Sequence, residues 1–222
     1  MGNEAERKII EFEAKKILQK HGIPVTKEFL AKNAGQARDF AEKIGYPVAL
    51  KIQSPDILHK SDAGGVILGL KTGEEVAKAY EKILKNAKNY DRHAKILGVL
   101  VQEMIEEGHQ CIIGTKKDPQ FGPVLMFGFG GIFVEVFKDV SFRIIPIERK
   151  DAKEMISEIK GYAILKGVRG QKPVNFKSLE NALLKVSGMV WRDKRIEELD
   201  INPLFVSSSG VKAADARIIM GK

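Results

Sequence analysis

The spacing of hydrophobic positions along the chain changes several times, and each change marks a predicted element. In the first hundred residues, apolar stripes at helical spacing alternate with short apolar runs, which predicts the order α-β-α-β-β-α-β. The first helix is expected to open at an N-cap on Asn3 and to end at Gly22. Residues 48–52 are expected to form a buried strand that carries one lysine, Lys51.

After residue 108 the pattern becomes typical of an antiparallel sheet. Four short apolar runs follow closely, at 111–114, 124–127, 132–137 and 142–147. A helix capped by Asn175 comes later, and the chain closes with a hairpin around the turn 207–210. We therefore predict two α+β lobes, an N-terminal lobe of residues 1–104 and a C-terminal lobe of residues 105–222.

Composition excludes several classes of protein. The chain has 222 residues, of which 44% are hydrophobic and 30% charged, so it can bury a core. A single cysteine, Cys111, excludes an internal disulfide, and no Cys/His cluster has zinc spacing. No apolar run reaches the ~18–20 residues of a membrane span, and the first residues lack the apolar stretch of a secretory signal. The expected location is cytoplasmic, with no membrane partner.

The net charge of +8 leaves the partner open at first. Lysines are interleaved with glutamates, as in residues 4–8 and 11–16, which is typical of solvated helix faces and of hyperthermophile surfaces. A basic nucleic-acid-binding protein is the alternative, but an aromatic-rich basic stripe is absent. We therefore expect no nucleic-acid partner.

Polar and glycine-rich segments in both lobes are candidates for phosphate chemistry. Lys51 in an apolar strand indicates an anionic ligand, unless the strand lies at a sheet edge. The loop 59–65 contains His59, a candidate phosphoryl carrier, and ends in Gly64 and Gly65, whose backbone can approach phosphate oxygens. Residues 128–131 form a second glycine-rich turn.

The segment 198–204 carries the clearest chemical pattern. In a strand, Glu198, Asp200 and Asn202 share one face while the intervening leucine and isoleucine face the core. Asp215 lies on the facing arm of the predicted hairpin, within reach of Asn202. Carboxylate and amide oxygens suit Mg²⁺, although a solvated polar face is the simpler interpretation.

Five segments, taken in order, resemble the ATP-grasp β subunit of ADP-forming acetyl-CoA (acyl-CoA) synthetases, which are relatives of succinyl-CoA synthetase. The segments are 48–51, 59–66, 114–124, 127–135 and 198–204. The resemblance covers essentially the whole chain. It implies the ATP-grasp fold, with ATP or ADP held between two α+β lobes.

The resemblance also implies a role for particular residues. Catalysis would use His59 as a phosphoryl relay and Asp200 to orient its imidazole, and Mg²⁺ would be held by Asn202 and Asp215. The nucleotide-binding positions would be Lys51, Lys60, Gly64, Gly65, Glu103, Met104, Gln110, Gly130 and Gly131. Gln110 stands where the family pattern leads us to expect an acid. If position 110 contacts the ribose, this difference affects nucleotide preference or affinity.

The family reaction converts acyl-CoA, ADP and phosphate into a carboxylic acid, ATP and CoA. It implies a partner, the α subunit, which carries the CoA site and its own phosphohistidine in a hetero-oligomer of α2β2 type. A self-sufficient ATP-dependent carboxylate ligase of the same fold remains the alternative at this point.

Overall fold

The computed structural model describes residues 7–57, 59–130, 139–168 and 170–221. These residues form two compact units. The small unit is Thr26–Glu106, and the large unit joins the chain up to Val25 to the chain from Glu107 onward. The second junction falls close to the predicted lobe boundary. Residues 7–25, by contrast, are grouped with the C-terminal part of the chain.

Strand pairing near the N-terminus explains this grouping. Strand β1 (Arg7–Ile9) pairs antiparallel with β11 (Ala216–Met220), and helix α1 (Glu11–Lys20) packs against β11. The predicted N-cap Asn3 lies outside the described residues, and the predicted extent of the first helix is wrong because residues 7–9 form a strand. Pairing with a distant strand overrides the predicted N-cap, while the apolar residues at helical spacing, Ala14, Ile17 and Leu18, lie on α1.

The large unit is built on a seven-stranded antiparallel sheet among the described residues. Its other strands are β6 (His109–Asp118), β7 (Gly122–Phe129), β8 (Val140–Ile144), β9 (Ile196–Ser207) and β10 (Gly210–Ala213). The order is β1-β11-β9-β6-β7-β8, with β10 paired to β9. Helices α4 (Arg149–Glu158), α5 (Tyr162–Leu165) and α6 (Phe176–Arg192) contribute to its core. The predicted strand at 132–137 lies outside the described residues.

The small unit is a four-stranded antiparallel sheet with two helices. Its elements are β2 (Glu28–Ala31), α2 (Ala34–Ile44), β3 (Val48–Gln53), β4 (Val66–Leu70), α3 (Gly73–Tyr90) and β5 (Gly98–Glu103). The sheet order β2-β5-β3-β4 places β3 in the interior, and each of its six residues is buried. The two helices pack against each other and against β5 and β3.

Charged positions on α1 depart from the predicted solvated face. The ammonium of Lys15 lies 3.0 Å from Glu11 Oε1, and both side chains are at most 2% exposed. They are buried because α1 packs against β11. The interpretation of residues 11–16 as a solvated face is therefore wrong at these two positions. In the part of the chain that the structure describes, no helix combines the length and the apolar character needed to cross a membrane.

Candidate functional site

Lys51 occupies the middle of the small-unit sheet. Its Cα is paired with Val66 on β4 and with Leu100 on β5, and only 8% of the residue is exposed. The alternative of an edge strand is therefore excluded for β3. A cationic side chain at an interior strand is costly unless anionic or polar groups compensate it, so the position suits a residue that meets an anionic ligand.

The loop between β3 and β4 is closed by its own backbone. The amide of Gly65 donates to Lys60 O at 2.7 Å, and the amide of Ala63 donates to His59 O at 3.2 Å. Gly64 has a φ of +59°, a conformation that favours glycine, and its carbonyl accepts from Asn86 Nδ2 at 2.9 Å. His59 is exposed and Lys60 is half-buried. The loop therefore presents an imidazole on a hydrogen-bonded scaffold.

Glu103 and Met104, predicted to border the adenine, lie at the end of β5. The Glu103 carboxylate accepts from the amide of Lys27 at 2.7 Å, and the Glu103 amide donates to Lys27 O at 3.0 Å. The amide of Met104 donates to Pro47 O at 3.3 Å. These contacts fix the backbone at the predicted adenine position, while the side chain of Met104 is half-buried.

The predicted acidic face of the large unit is present on β9. Leu199 and Ile201 are buried, at 1% and 0% exposure, whereas Asp200 is half-buried and Asn202 is exposed. The alternation predicted for this segment is confirmed. The backbone amide of Asn202 donates to Asp215 O at 3.2 Å, so the two predicted metal ligands are neighbours, one on β9 and the other in the turn just before β11.

Neighbouring charges act on Asp200. Burial raises the pKa of its carboxyl, the cationic Arg217 opposes this effect, and the nearby carboxylates of Asp215 and Glu198 raise the pKa further. Arg217 is the residue paired with Asp200 across β11 and β9. The donor set beside it, the amide oxygen of Asn202 and the carboxylate of Asp215, fits a hard divalent ion such as Mg²⁺.

The metal-ligand set is small. Among the described residues, no group of three or more His, Cys, Asp and Glu side chains is placed to hold a metal ion. Asn202 and Asp215 would supply one amide and one carboxylate oxygen. Mg²⁺ commonly takes only one or two protein ligands and completes its shell with water and phosphate oxygens, so two ligands are sufficient.

Gln110, at the start of β6, meets Gly130, which directly follows β7. The amide of Gly130 donates to Gln110 O at 2.6 Å, and a β-carbon at position 130 would lie 2.9 Å from that oxygen. Glycine is therefore required here for close backbone approach. The side chain of Gln110 is exposed, and Gly131 lies outside the described residues.

Sequence reasoning assigned no role to two basic residues near the acidic face. Arg217 faces Asp200 on the neighbouring strand, and Lys116 Nζ lies 3.1 Å from Glu198 Oε1. Strand alternation in residues 216–220 could have placed Arg217 on the polar face. The contact of Lys116 depends on the register of β6 against β9, for which the sequence carries no local signal.

Comparison with known proteins identifies the family. An ATP-grasp domain model matches residues 2–220. The chain belongs to the ATP-grasp family.

Within the ATP-grasp family, the chain is similar to subunits of acyl-CoA-forming ligases. It is 51% identical, over 96% of its length and 91% of the relative's, to the β subunit of acetate–CoA ligase [ADP-forming] II of Pyrococcus furiosus. The predicted resemblance to these β subunits and the predicted fold class are confirmed.

Two solved structures of acetyl-coenzyme A synthetase 1 from Ca. Korarchaeum cryptofilum share this ATP-grasp fold. One, in complex with coenzyme A, Ca-AMPCP and HgCl+, matches with a TM-score of 0.94 and 46% identity over 96% of this chain and 93% of the other. Another contains coenzyme A and Mg-AMPPCP, with a phosphohistidine segment pointing towards the nucleotide-binding site. It matches with a TM-score of 0.84 and 44% identity over 96% and 92% of the two chains.

Proposed function

We propose that this chain is the nucleotide-binding β subunit of an ADP-forming acyl-CoA synthetase. The complete enzyme would convert acyl-CoA, ADP and phosphate into a carboxylic acid, ATP and CoA. The observation that carries the proposal is the 51% identity, across nearly all of the chain, to a protein named as such a subunit. The contacts within each unit support it.

The small unit would bind the nucleotide through its backbone and two lysines. Lys51 on the interior strand and Lys60 in the loop would neutralise phosphate oxygens, and the amides at Gly64 and Gly65 would approach them closely. Glu103 and Met104 would border the adenine. Their backbone positions are fixed by hydrogen bonds to Lys27 and Pro47, so little ordering would be needed on binding.

The large unit would contribute the metal site. Asn202 and Asp215 would hold Mg²⁺, which when bound would neutralise charge on the phosphate oxygens. Gly130 and Gly131 would approach the nucleotide with their backbone, and Gln110 is a candidate ribose contact. An amide at position 110 offers both a donor and an acceptor, so it can pair with a hydroxyl without adding a further negative charge.

His59 would carry the phosphoryl group in transit. The phosphoryl group would pass from a phosphohistidine of the α subunit to a ring nitrogen of His59. A β-phosphate oxygen of ADP would then attack the phosphorus, so that the P–N bond breaks as the P–O bond of ATP forms. The exposure of His59 is consistent with a residue that must meet two partners in turn. Orientation of His59 by Asp200 stays a prediction.

The acyl group would be bound by the α subunit, in a hetero-oligomer of α2β2 type. This chain alone would then bind Mg-ADP and make no ATP. A cytoplasmic location would give the enzyme access to ADP and CoA.

The test is reconstitution with the α subunit. Acetyl-CoA, ADP and phosphate should yield ATP only when both subunits and Mg²⁺ are present. Labelled ATP added to the mixed subunits should place an acid-labile phosphoryl group on His59 as well as on the α subunit. Synthesis of ATP should be lost in His59→Asn and retained in His93→Asn, which alters another exposed histidine of the small unit.

Two outcomes would contradict the proposal. A His59→Asn complex with full activity would refute the phosphoryl relay. Turnover of ATP with acetate by this chain alone would instead favour the self-sufficient carboxylate ligase.

A further inference from the structure

The ion pair on α1 is almost completely removed from water. Lys15 and Glu11 are one helical turn apart, and their side chains are 1% and 2% exposed. Taking two charges out of water costs several kcal/mol per ion, and apolar residues of similar volume often serve the core as well. Packing alone therefore does not account for charges at these positions.

The ammonium of Lys15 reaches the turn that carries a predicted metal ligand. Its Nζ donates to Ala214 O at 2.9 Å, and Ala214 directly precedes Asp215 in the turn between β10 and β11. A hydrogen bond from an ionised donor is roughly twice as strong as a neutral one. Lys15 therefore ties α1 firmly to this turn.

The same turn is tied to β9 by backbone hydrogen bonds. The amide of Ala214 donates to Pro203 O at 3.0 Å, and the amide of Asn202 donates to Asp215 O at 3.2 Å. These two hydrogen bonds set the relative placement of Asn202 and Asp215. Lys15, on helix α1, holds the same turn through its bond to Ala214 O.

We propose that Lys15, with Glu11 as its counter-ion, is a positioning residue for the Mg²⁺ site. By holding Ala214 O, it fixes the turn 213–216 so that Asp215 and Asn202 present their oxygens together. This inference rests on the proposed function, which takes these two residues as metal ligands. Mutation of a residue that orients a metal ligand typically lowers metal affinity ~10- to 100-fold.

The choice of variant matters because a single substitution leaves a buried charge. Lys15→Met alone strands the Glu11 carboxylate, which can unfold the chain. The double variant Glu11→Leu/Lys15→Met removes both charges at similar volume, keeps the core filled and deletes the bond to Ala214 O. Leu18→Ala is the matched control, since Leu18 is fully buried on the same helix and its truncation destabilises the core by ~2–5 kcal/mol.

The measurement is Mn²⁺ binding to the full chain in the presence of ADP, monitored through the electron paramagnetic resonance signal of the free ion. The double variant should raise the dissociation constant for Mn²⁺ ~10- to 100-fold. Leu18→Ala should leave it within about twofold of the wild-type value, at a temperature where both variants are folded. Relative to the other amides of β9, hydrogen exchange at the Asn202 amide should be faster in the double variant and unchanged in Leu18→Ala.

The outcomes separate this inference from the proposed function. Unchanged Mn²⁺ affinity in the double variant, or equal weakening in Leu18→Ala, would overturn the role of Lys15 alone. A wild-type chain that binds no Mn²⁺ with ADP would overturn the proposed function, and the role of Lys15 with it.

Discussion

Position 65, in the loop between β3 and β4 of the small unit, leaves no room for a β-carbon. A β-carbon there would lie 2.5 Å from Ile52 Cγ2 and 3.0 Å from Lys60 O. The residue cannot move aside easily, because its amide donates to Lys60 O and its carbonyl accepts from the amide of Ile52, both at 2.7 Å. We therefore predict that Gly65→Ala destabilises the small unit.

The size of the effect follows from the overlap. Carbon atoms in contact are normally ~3.5–4.0 Å apart, so the added methyl group would overlap Ile52 by about 1 Å. Overpacking of this kind costs ~1–3 kcal/mol. For a chain of this length, each kcal/mol lowers the melting temperature by ~2–4 °C.

A double-mutant cycle identifies the clash as the cause. Leucine carries no Cγ2 on its β-carbon, so Ile52→Leu should recover at least ~1 kcal/mol of the loss caused by Gly65→Ala. Gly69→Ala is the control, because Gly69 has a φ of +73° with nothing within 4 Å of a β-carbon, and Ile52→Leu should not rescue it. The assay is unfolding by denaturant, monitored by circular dichroism, which gives the free energy of unfolding of each variant. A loss below ~0.5 kcal/mol, or an equal loss with and without the Ile52→Leu substitution, would refute the steric argument.

Two further predictions concern titratable groups in the large unit. Burial raises the pKa of the Cys111 thiol to about 12, so iodoacetamide at pH 8 should label this residue only after unfolding in guanidinium chloride. Rapid labelling of the native chain would contradict its burial. The hydrogen bond from Arg143 lowers the pKa of the Glu158 carboxyl. The ionised carboxyl therefore stabilises the fold above its unfolded pKa of about 4.3, and this stabilisation is lost as the pH falls through the lowered folded pKa. The melting temperature of Glu158→Gln should therefore be lower than that of the wild type at pH 7 and equal to it near pH 2. A difference in melting temperature that stays constant with pH would exclude this ion pair as the cause.

Elements whose signals are local were predictable from the sequence. Helix α3 follows Thr72, whose hydroxyl accepts from the amide of Glu75 at 3.2 Å, and helix α6 follows Asn175, whose side chain accepts from Ser178 at 3.0 Å. Strand β9 was predictable from its alternation, because Leu199 and Ile201 face the core. In each case the residues that decide the structure are neighbours in the sequence.

Elements that depend on distant partners were not predictable in this way. Residues 7–9 follow the predicted N-cap and were expected to be helical, yet they form a strand because β11, at the other end of the chain, offers them a pairing edge. Lys51 was recognised as a lysine in an apolar strand. Whether that strand lay at an edge or in the interior depended on the sheet order, which places it between β5 and β4.

The two Glu–Lys pairs on α1 and α3 show most clearly what the spacing of residues leaves undecided. Glu74 and Lys78 are separated by four positions and lie 2.6 Å apart with side chains that are 78% and 76% exposed, whereas Glu11 and Lys15 have the same spacing with side chains that are almost fully buried. An exposed pair of this kind is screened by water and contributes little to stability, while breaking a buried pair costs ~3–5 kcal/mol. The sequence pattern is identical in the two helices, so only the packing of α1 against β11 distinguishes a solvated pair from one that anchors the turn before Asp215.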